Sequence, residues 1–517
     1  MLKRTLANLA LALALGIASL PPAGALVTVQ AAVTEPGTTA PARIAGDVWA
    51  ASAAGVETEF LVVLAEQAAL SAAAAIPDRG ERLRTVHIQL LEVARRTQPA
   101  VLADLDAVGL DYRPFYVANV VWVRGDRDAL VRLAEREDVA RIVGNPRIPM
   151  ALPDSDRALG VDIPAGIEWG VSQIGADDVW GLGYTGASIV VAGQDTGYDW
   201  DHPALVAQYR GTNGGAVSHD YNWHDAIHSG GGVCGADSAV PCDDHGHGTH
   251  TMGTIVGDDG GANQSGVAPG ARWIGCRNMD QGVGTPATYI ECFEFFLAPY
   301  PVGGDPLTDG DPDLAPHVIN NSWTCPPGEG CDWDTLQTVV ENMRAAGIFV
   351  VASAGNDGAG GCSTVQAPPA IYDAAFSVGA TGSSDVIASF SSRGPVSIDG
   401  SGRLKPDIVA PGVAVRSSIP GGGYSLKKGT SMAGPHAAGT VALLWSAAPH
   451  LVGDIGATEW AITSTAVALT TTQACGGDTP TAVPNNVYGW GRVDAYRALR
   501  ATLYPSDFYF PFIMRGG

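Results

Sequence analysis

Residues Gly429-Thr430-Ser431-Met432-Ala433-Gly434-Pro435-His436 open an apolar run that ends at Trp445, and no Asp, Glu, Lys or Arg falls between Gly429 and Trp445. The pattern predicts a helix buried by the elements around it. Gly429 allows a tight backbone turn, and Pro435 is predicted to fall in the first helical turn, where its missing N–H costs little. Ser431 then stands at the helix N-terminus. The partial positive charge there suits the oxygen on which negative charge develops during acyl transfer.

From Trp169 onward, short apolar runs alternate with helical stripes. Ser188–Ala192 reads as a strand running into Gln194-Asp195-Thr196-Gly197, and Arg272–Met279 as another, followed by a helix near Thr288–Leu297. His317–Ile319 leads into Asn320-Asn321-Ser322. Thr335–Gly347 carries apolar residues at helical spacing and closes on a glycine. Ile348–Ala352 ends in Ser353-Ala354-Gly355-Asn356, and Phe376–Thr381 follows. Repeated strand–helix units predict an α/β fold with a mostly parallel sheet and helices on both faces. Function in such sheets collects at the carboxyl ends of strands, where Asp195 and Asn356 fall.

Residues 57–145 have their own rhythm. Phe60–Leu64, Tyr116–Val123 and Val139–Val143 read as strands, Arg79–Ala107 as a helix interrupted near Pro99, and Arg127–Arg136 as a second helix. This predicts a small α+β unit of the ferredoxin-like kind. It contains no catalytic cluster. Residues 146–168, punctuated by four prolines, read as an exposed boundary open to proteolysis. Before the unit, Lys3 and Arg4 precede the apolar stretch Leu6–Leu20 and the small residues Ala23-Gly24-Ala25, the pattern of a signal peptide over 1–25, with linker over 26–56. Residues 501–517 form an apolar C-terminal tail around Phe508–Met514.

Charge is unevenly spread. Residues 1–150 hold 15 basic and 16 acidic residues, whereas 151–517 hold 15 and 37, giving a formal net charge of −23 for the chain. An acidic body of that size excludes nucleic acid as the expected partner. All eight cysteines lie between Cys234 and Cys475. An even number confined to one region points to disulfides and an oxidising compartment. Cys234/Cys242 and Cys325/Cys331 are close enough for local clips, with Cys276/Cys292 and Cys362/Cys475 as the remaining pairs; free buried thiols are the alternative.

Asp195, His247 in Asp244-His245-Gly246-His247-Gly248-Thr249-His250, and Ser431 supply an acid, a base and a nucleophile in that chain order. A serine hydroxyl needs a base to take its proton, and the imidazole needs an acid to fix its tautomer. With Gln194-Asp195-Thr196-Gly197, His247-Gly248-Thr249-His250, Ala354-Gly355-Asn356 and the motif around Ser431, residues from about 170 to 497 resemble a subtilisin-type serine peptidase, a subtilase. The resemblance implies that Asp195, His247 and Ser431 are catalytic and that Asn356 donates to the oxyanion. It also implies that 57–145 is an inhibitor-type propeptide acting as folding aid and intramolecular inhibitor, that the peptidase domain covers 169–500, and that the product is a secreted monomeric endopeptidase acting on protein and peptide substrates.

The chain departs from the family pattern at the substrate cleft. Ser322-Trp323-Thr324-Cys325 stands where many members have Ser-Leu-Gly-Gly, and Gln366 falls where relatives often carry glycine at the pocket base. Ser322, Trp323, Thr324 and Gln366 are thus the expected substrate-binding positions. No metal or cofactor is needed for the chemistry. Ala204 replaces an aspartate usual at the family's calcium site, leaving Asp258 and Asp259 as the alternative holders of a structural calcium. Two rivals remain. A zinc site at His245, His247 and His250 lacks the His-Glu-x-x-His spacing. A non-catalytic scaffold is opposed by a competent residue in every role.

Overall fold

The computed structural model describes residues 41–150, 152 and 166–504. The expected signal peptide, the first part of the linker, most of the boundary segment and the apolar tail beyond Tyr504 lie outside the described residues, and the tail's first residues, to Leu503, are helical.

The N-terminal unit runs strand, helix, two strands, helix, strand: β1 (Thr58–Leu64), α1 (Arg79–Val108), β2 (Asp111–Phe115), β3 (Val120–Gly125), α2 (Arg127–Ala134) and β4 (Val139–Gly144). Its antiparallel sheet has the order β2-β3-β1-β4. Alternate residues along the strands divide the sheet's faces. Phe60, Val62, Val121 and Val123 pack under α1 and α2 with Val101, Leu105, Leu130 and Leu133. Leu61 and Val143 turn the other way, into the core of the larger unit.

Four local readings differ from what forms. Helix α1 runs unbroken through Pro99. Its two halves are anchored in separate cores, Leu83 to Ala94 in one and Val101 to Leu105 in the other, and this packing outweighs the bond lost at proline. The expected strand Tyr116–Val123 starts only at Val120, because Asn119 takes a left-handed turn (φ 44°). Strand β2 was not foreseen. Arg113 and Pro114 disguise it, and a proline is tolerated there because β2 lies at the sheet edge. Part of the expected linker, Gly46–Ala51, is a short helix.

The larger unit is built on seven strands: β5 (Val190–Asp195), β6 (Trp223–Asp225), β7 (Arg272–Arg277), β8 (Val318–Asn321), β9 (Phe349–Ser353), β10 (Phe376–Thr381) and β11 (Ile408–Pro411). They form one fully parallel sheet in the order β6-β7-β5-β8-β9-β10-β11. The expected α/β class is what forms. Helix α3 (His247–Val256) and helix α6 (Thr430–Ala447) lie on one face with α7 (Ile455–Thr465) and α8 (Ala495–Leu503); α4 (Pro286–Leu297) and α5 (Gln337–Ala345) lie on the other. Val191, Val318 and Val351 face the first group, and Ala192, Ile319 and Val350 the second. A two-residue period with both sides apolar is what a doubly covered sheet requires. A hairpin, β12 (Val415–Ile419) with β13 (Gly423–Lys427), leads into α6.

The four disulfides pair Cys234–Cys242, Cys276–Cys292, Cys325–Cys331 and Cys362–Cys475. The last spans 113 residues and the third only 6. Because a cross-link stabilises chiefly by restricting the unfolded chain, Cys362→Ser is expected to cost on the order of 3–5 kcal/mol and Cys325→Ser less. Thermal unfolding in a Ser431→Ala background, which avoids self-digestion, measures both; the reverse ranking would contradict the account.

Candidate active site

Asp195 ends β5 at the sheet's carboxyl edge and is 1% exposed. His247 opens α3 and is fully buried. Its Nδ1 lies 2.7 Å from Asp195 Oδ1. Asp195 also accepts from the Thr196 N–H (2.7 Å) and from Thr251 Oγ1 (3.4 Å), so the carboxylate is oriented from both sides. The opposite ring nitrogen, His247 Nε2, is buried with no hydrogen-bond partner.

A second carboxylate fixes the helix that carries the imidazole. Asp243 accepts from the backbone N–H groups of His245, Gly246 and Thr249 at 2.7–3.1 Å, and from the hydroxyls of Thr196 (2.8 Å) and Thr249 (2.6 Å). This satisfies N–H groups that the first turn of α3 leaves without helical partners. Helix and strand end also approach closely: a β-carbon on Gly248 would lie 2.1 Å from Gly197 O. Nearby, Lys427 at the end of β13 donates to Gly246 O (2.5 Å). Burial lowers its ammonium pKa, while the charges of Asp243 and Asp195 counteract that. The Asp243–Thr196 network was not foreseen.

Ser431 is the second residue of α6 and is 4% exposed. Pro435 lies in the second turn of that helix rather than the first. There it removes the N–H that would have bonded to Ser431 O, and the freed carbonyl accepts instead from Ser322 Oγ (3.0 Å). Ser353 Oγ donates to Thr430 O in the same way (2.9 Å). The helix start is thereby pinned to residues at the carboxyl ends of β8 and β9. Ser431 Oγ donates to Ser322 O (3.1 Å). Helix α6 packs directly on α3, so the serine and the imidazole are carried by adjoining elements.

Asn356 follows β9, and its carbonyl oxygen accepts from the Thr430 N–H (3.0 Å) and hydroxyl (3.1 Å). That fixes the amide plane. Ser322, Trp323, Thr324, Asn356 and Ser431 all line one cavity of about 310 Å³. Trp323 lies face to face on Tyr289, with ring centres 3.8 Å apart and planes 14° from parallel. Gln366 does not line this cavity. Its amide donates to Ser363 O (2.9 Å), and its carbonyl oxygen accepts from the N–H groups of Ser397 (3.2 Å) and Ile398 (2.7 Å), tying down a neighbouring loop.

The three histidines near position 247 do not converge. His250 is buried with Nε2 3.1 Å from the carbonyls of both Val415 and Ser425, and burial holds it neutral by lowering its pKa. Asp258 and Asp259 accept from backbone N–H groups of their own turn. Among the described residues, no three His, Cys, Asp or Glu side chains group as a metal site.

Residues 186–491 match the sequence model of the Subtilase family. The chain belongs to that family. It is 38% identical over 402 residues to bacillopeptidase F of Bacillus subtilis (strain 168), covering 75% of this chain and 26% of the relative. It is 33% identical to subtilisin of Bacillus pumilus over 286 residues, covering 55% of this chain and 86% of the relative. Subtilisin E of Bacillus subtilis (strain 168) is 34% identical, with 62% of its length covered. The chain thus spans about a quarter of bacillopeptidase F and about three-fifths of subtilisin E.

Removing one oxyanion donor typically costs about 10²- to 10³-fold in kcat. Asn356→Ala is expected to lower kcat by that factor in this subtilase with KM little changed, measured on a chromogenic peptide. An unchanged kcat would remove Asn356 from the reaction.

Proposed function

We propose that this chain is a secreted serine endopeptidase made as a self-processing zymogen. The observation that carries the reading is the buried Asp195–His247 pair (2.7 Å), with His247 on a helix packed against the one that carries Ser431. In this reading Asp195 fixes the tautomer in which Nδ1 carries the proton, leaving Nε2 to accept the Ser431 hydroxyl proton. The serine oxygen attacks the peptide carbonyl. Asn356 and the backbone N–H of Ser431, at the positive end of α6, hold the resulting oxyanion. His247 then protonates the leaving amine, and water, activated by the same nitrogen, releases the acyl-enzyme. Secretion is supported by the charged and apolar N-terminal pattern, by four disulfides and by the absence of any membrane-crossing helix among the described residues.

The N-terminal unit is the intramolecular inhibitor. Six of its arginines bond to the larger unit: Arg84 to Asp313 (2.5 Å), Arg113 to Glu291 (3.0 Å) and Arg141 to Asp334 (2.5 Å), and Arg79, Arg82 and Arg95 to the carbonyls of Gly347, Gly453 and Leu307. In return, Glu294 accepts the otherwise unpaired N–H groups of Tyr116 (2.5 Å) and Val117 (3.0 Å). Three of these arginine contacts are ion pairs with carboxylates of the larger unit.

Hydrolysis of casein by the full chain, and its loss by more than about 10³-fold in Ser431→Ala, tests the reaction. Equal activity in the two proteins would refute it.

Docking should also depend on pH. Burial pushes the Glu294 carboxyl up to about 8 while the units are joined. Release returns it to water and the ordinary carboxylate range. Docking therefore takes up a proton. Its advantage is full below the ordinary carboxylate value and is lost as pH rises towards 8. Burial lowers His87, on the inhibitor, to about 4, which weakens docking only below its ordinary value of about 6.5. The lag between self-cleavage and full activity should shorten from about pH 6.5 to 8.5, and Glu294→Gln should remove that slope. A lag that lengthens with pH would contradict the assignment.

A further inference from the structure

The cavity beside Ser431 carries charge of one sign only. Its lining includes two carboxylates, Glu329 and Asp357, and no Lys, Arg or His. Asp357 directly follows Asn356. Glu329 ends a 3₁₀ turn, Pro327–Glu329, inside the loop closed by the Cys325–Cys331 disulfide. That loop continues from Ser322-Trp323-Thr324-Cys325, the stretch in which the chain departs from the family pattern.

Both carboxylates lack a counter-charge. Asp357 bonds through its backbone N–H to Ser392 Oγ (3.0 Å), and Glu329 through its own to Pro326 O (2.9 Å). Neither carboxyl group has an ion-pair partner among the described residues. The two groups also act on each other. Partial burial, and after it the charge of Asp357, push the Glu329 carboxyl above its ordinary value. Like charges held near each other repel, and a cation placed between them relieves both.

The rest of the lining suits a peptide that carries such a cation. Trp323 is 3% exposed, and its indole N–H has no hydrogen-bond partner. A buried donor of that kind requires an acceptor from whatever enters, and a peptide carbonyl supplies one. The stacked rings of Trp323 and Tyr289 offer apolar surface to a methylene stem and a π face to a guanidinium group. An acidic side chain entering the same space would meet two like charges and no cation. The cavity therefore discriminates by sign, attracting one kind of side chain and repelling the other.

We propose that Glu329 and Asp357 make this peptidase select arginine or lysine as the residue whose carbonyl is attacked. The inference rests on the peptidase reading above and names its substrate class, proteins and peptides with accessible basic residues. A side chain that enters the cavity containing Ser431 belongs to the residue that forms the acyl-enzyme, so charge is read at the cut bond. Arginine is favoured over lysine, because its planar group can bond to both carboxylates while lying on an aromatic face. The acidic surplus of residues 151–517 acts in the same direction at longer range, raising the local concentration of basic peptides.

Four peptides that differ only in one central residue, given to the full chain, test this. That residue is arginine, citrulline, leucine or glutamate; citrulline keeps arginine's shape and removes its charge. Mass spectrometry should locate the cut after the central arginine. Its kcat/KM should exceed that of the citrulline peptide by about tenfold, with the glutamate peptide slowest of the four. Glu329→Gln and Asp357→Asn should each lower the arginine-to-citrulline ratio about two- to fivefold, the range expected of ion pairs open to solvent. Added salt should lower the same ratio. An arginine peptide cut no faster than the citrulline one overturns the inference, and so does a ratio that both variants leave unchanged. Casein hydrolysis with the arginine peptide intact overturns the charge selection alone. If neither casein nor any peptide is cut, the peptidase reading itself fails.

Discussion

A charge-free helix enclosed on every side is the constraint on which the rest depends. Helix α6 is buried from Thr430 to Trp445, and it packs on α3, on α8 and on strands β8 to β11. Such an element cannot shift without opening the core, and close-packed interiors resist that strongly. Ser431 therefore inherits a position set by the sheet. The proline in the second turn completes the arrangement. By withdrawing one helical bond it exposes the Ser431 carbonyl to Ser322 Oγ, so the serine's backbone is held from the end of β8 as well as from within its own helix.

The same economy holds for the imidazole. His247 is buried, and its orientation depends on Asp195 at the end of β5 and on α3 being held at its first turn by Asp243. Asp243 is tied in turn to Thr196, the residue after Asp195. Acid, base and cap thus form one connected network spanning two elements. Lys427 adds a partly buried cation bonded to the same turn. A change at any of these positions would be felt at the imidazole through orientation and charge, without touching a substrate.

Much of this was legible locally, and the exceptions share a cause. The alternation of strands and helices, the parallel sheet and the buried helix at Ser431 all express short-range patterning, and these are what form. Asp195 and His247 are 52 residues apart in sequence yet hydrogen-bonded, as their motifs suggested. What local reading missed is decided by distant partners. Pro99 does not break α1, because its halves are anchored in two cores. Tyr116 and Val117 leave the sheet, because Glu294 from another unit takes their N–H groups. Gln366 turns to the loop at Ser397 and Ile398, a contact 31 and 32 residues away. The strand inside the expected boundary segment, Ile148–Pro149, is too short for any periodicity and pairs with a hairpin edge.

In the proposed reading, that short strand is a second anchor of the inhibitor besides its arginines. An inhibitor docked only through charge would loosen with salt, since the Arg84–Asp313 pair is about half exposed on both sides. The strand contributes backbone hydrogen bonds and a buried Ile148, neither of which ionic strength weakens appreciably. The arginines and the strand therefore divide the work. In the proposed reading, the arginines of α1, β2 and β4 orient the docked unit, while Ile148–Pro149 lies along the hairpin edge at Val283–Gly284. Because both contacts belong to one folded unit, the strand is delivered at high effective concentration. It need not bind tightly by itself to exclude other peptides, and once the unit undocks it has little to hold it in place.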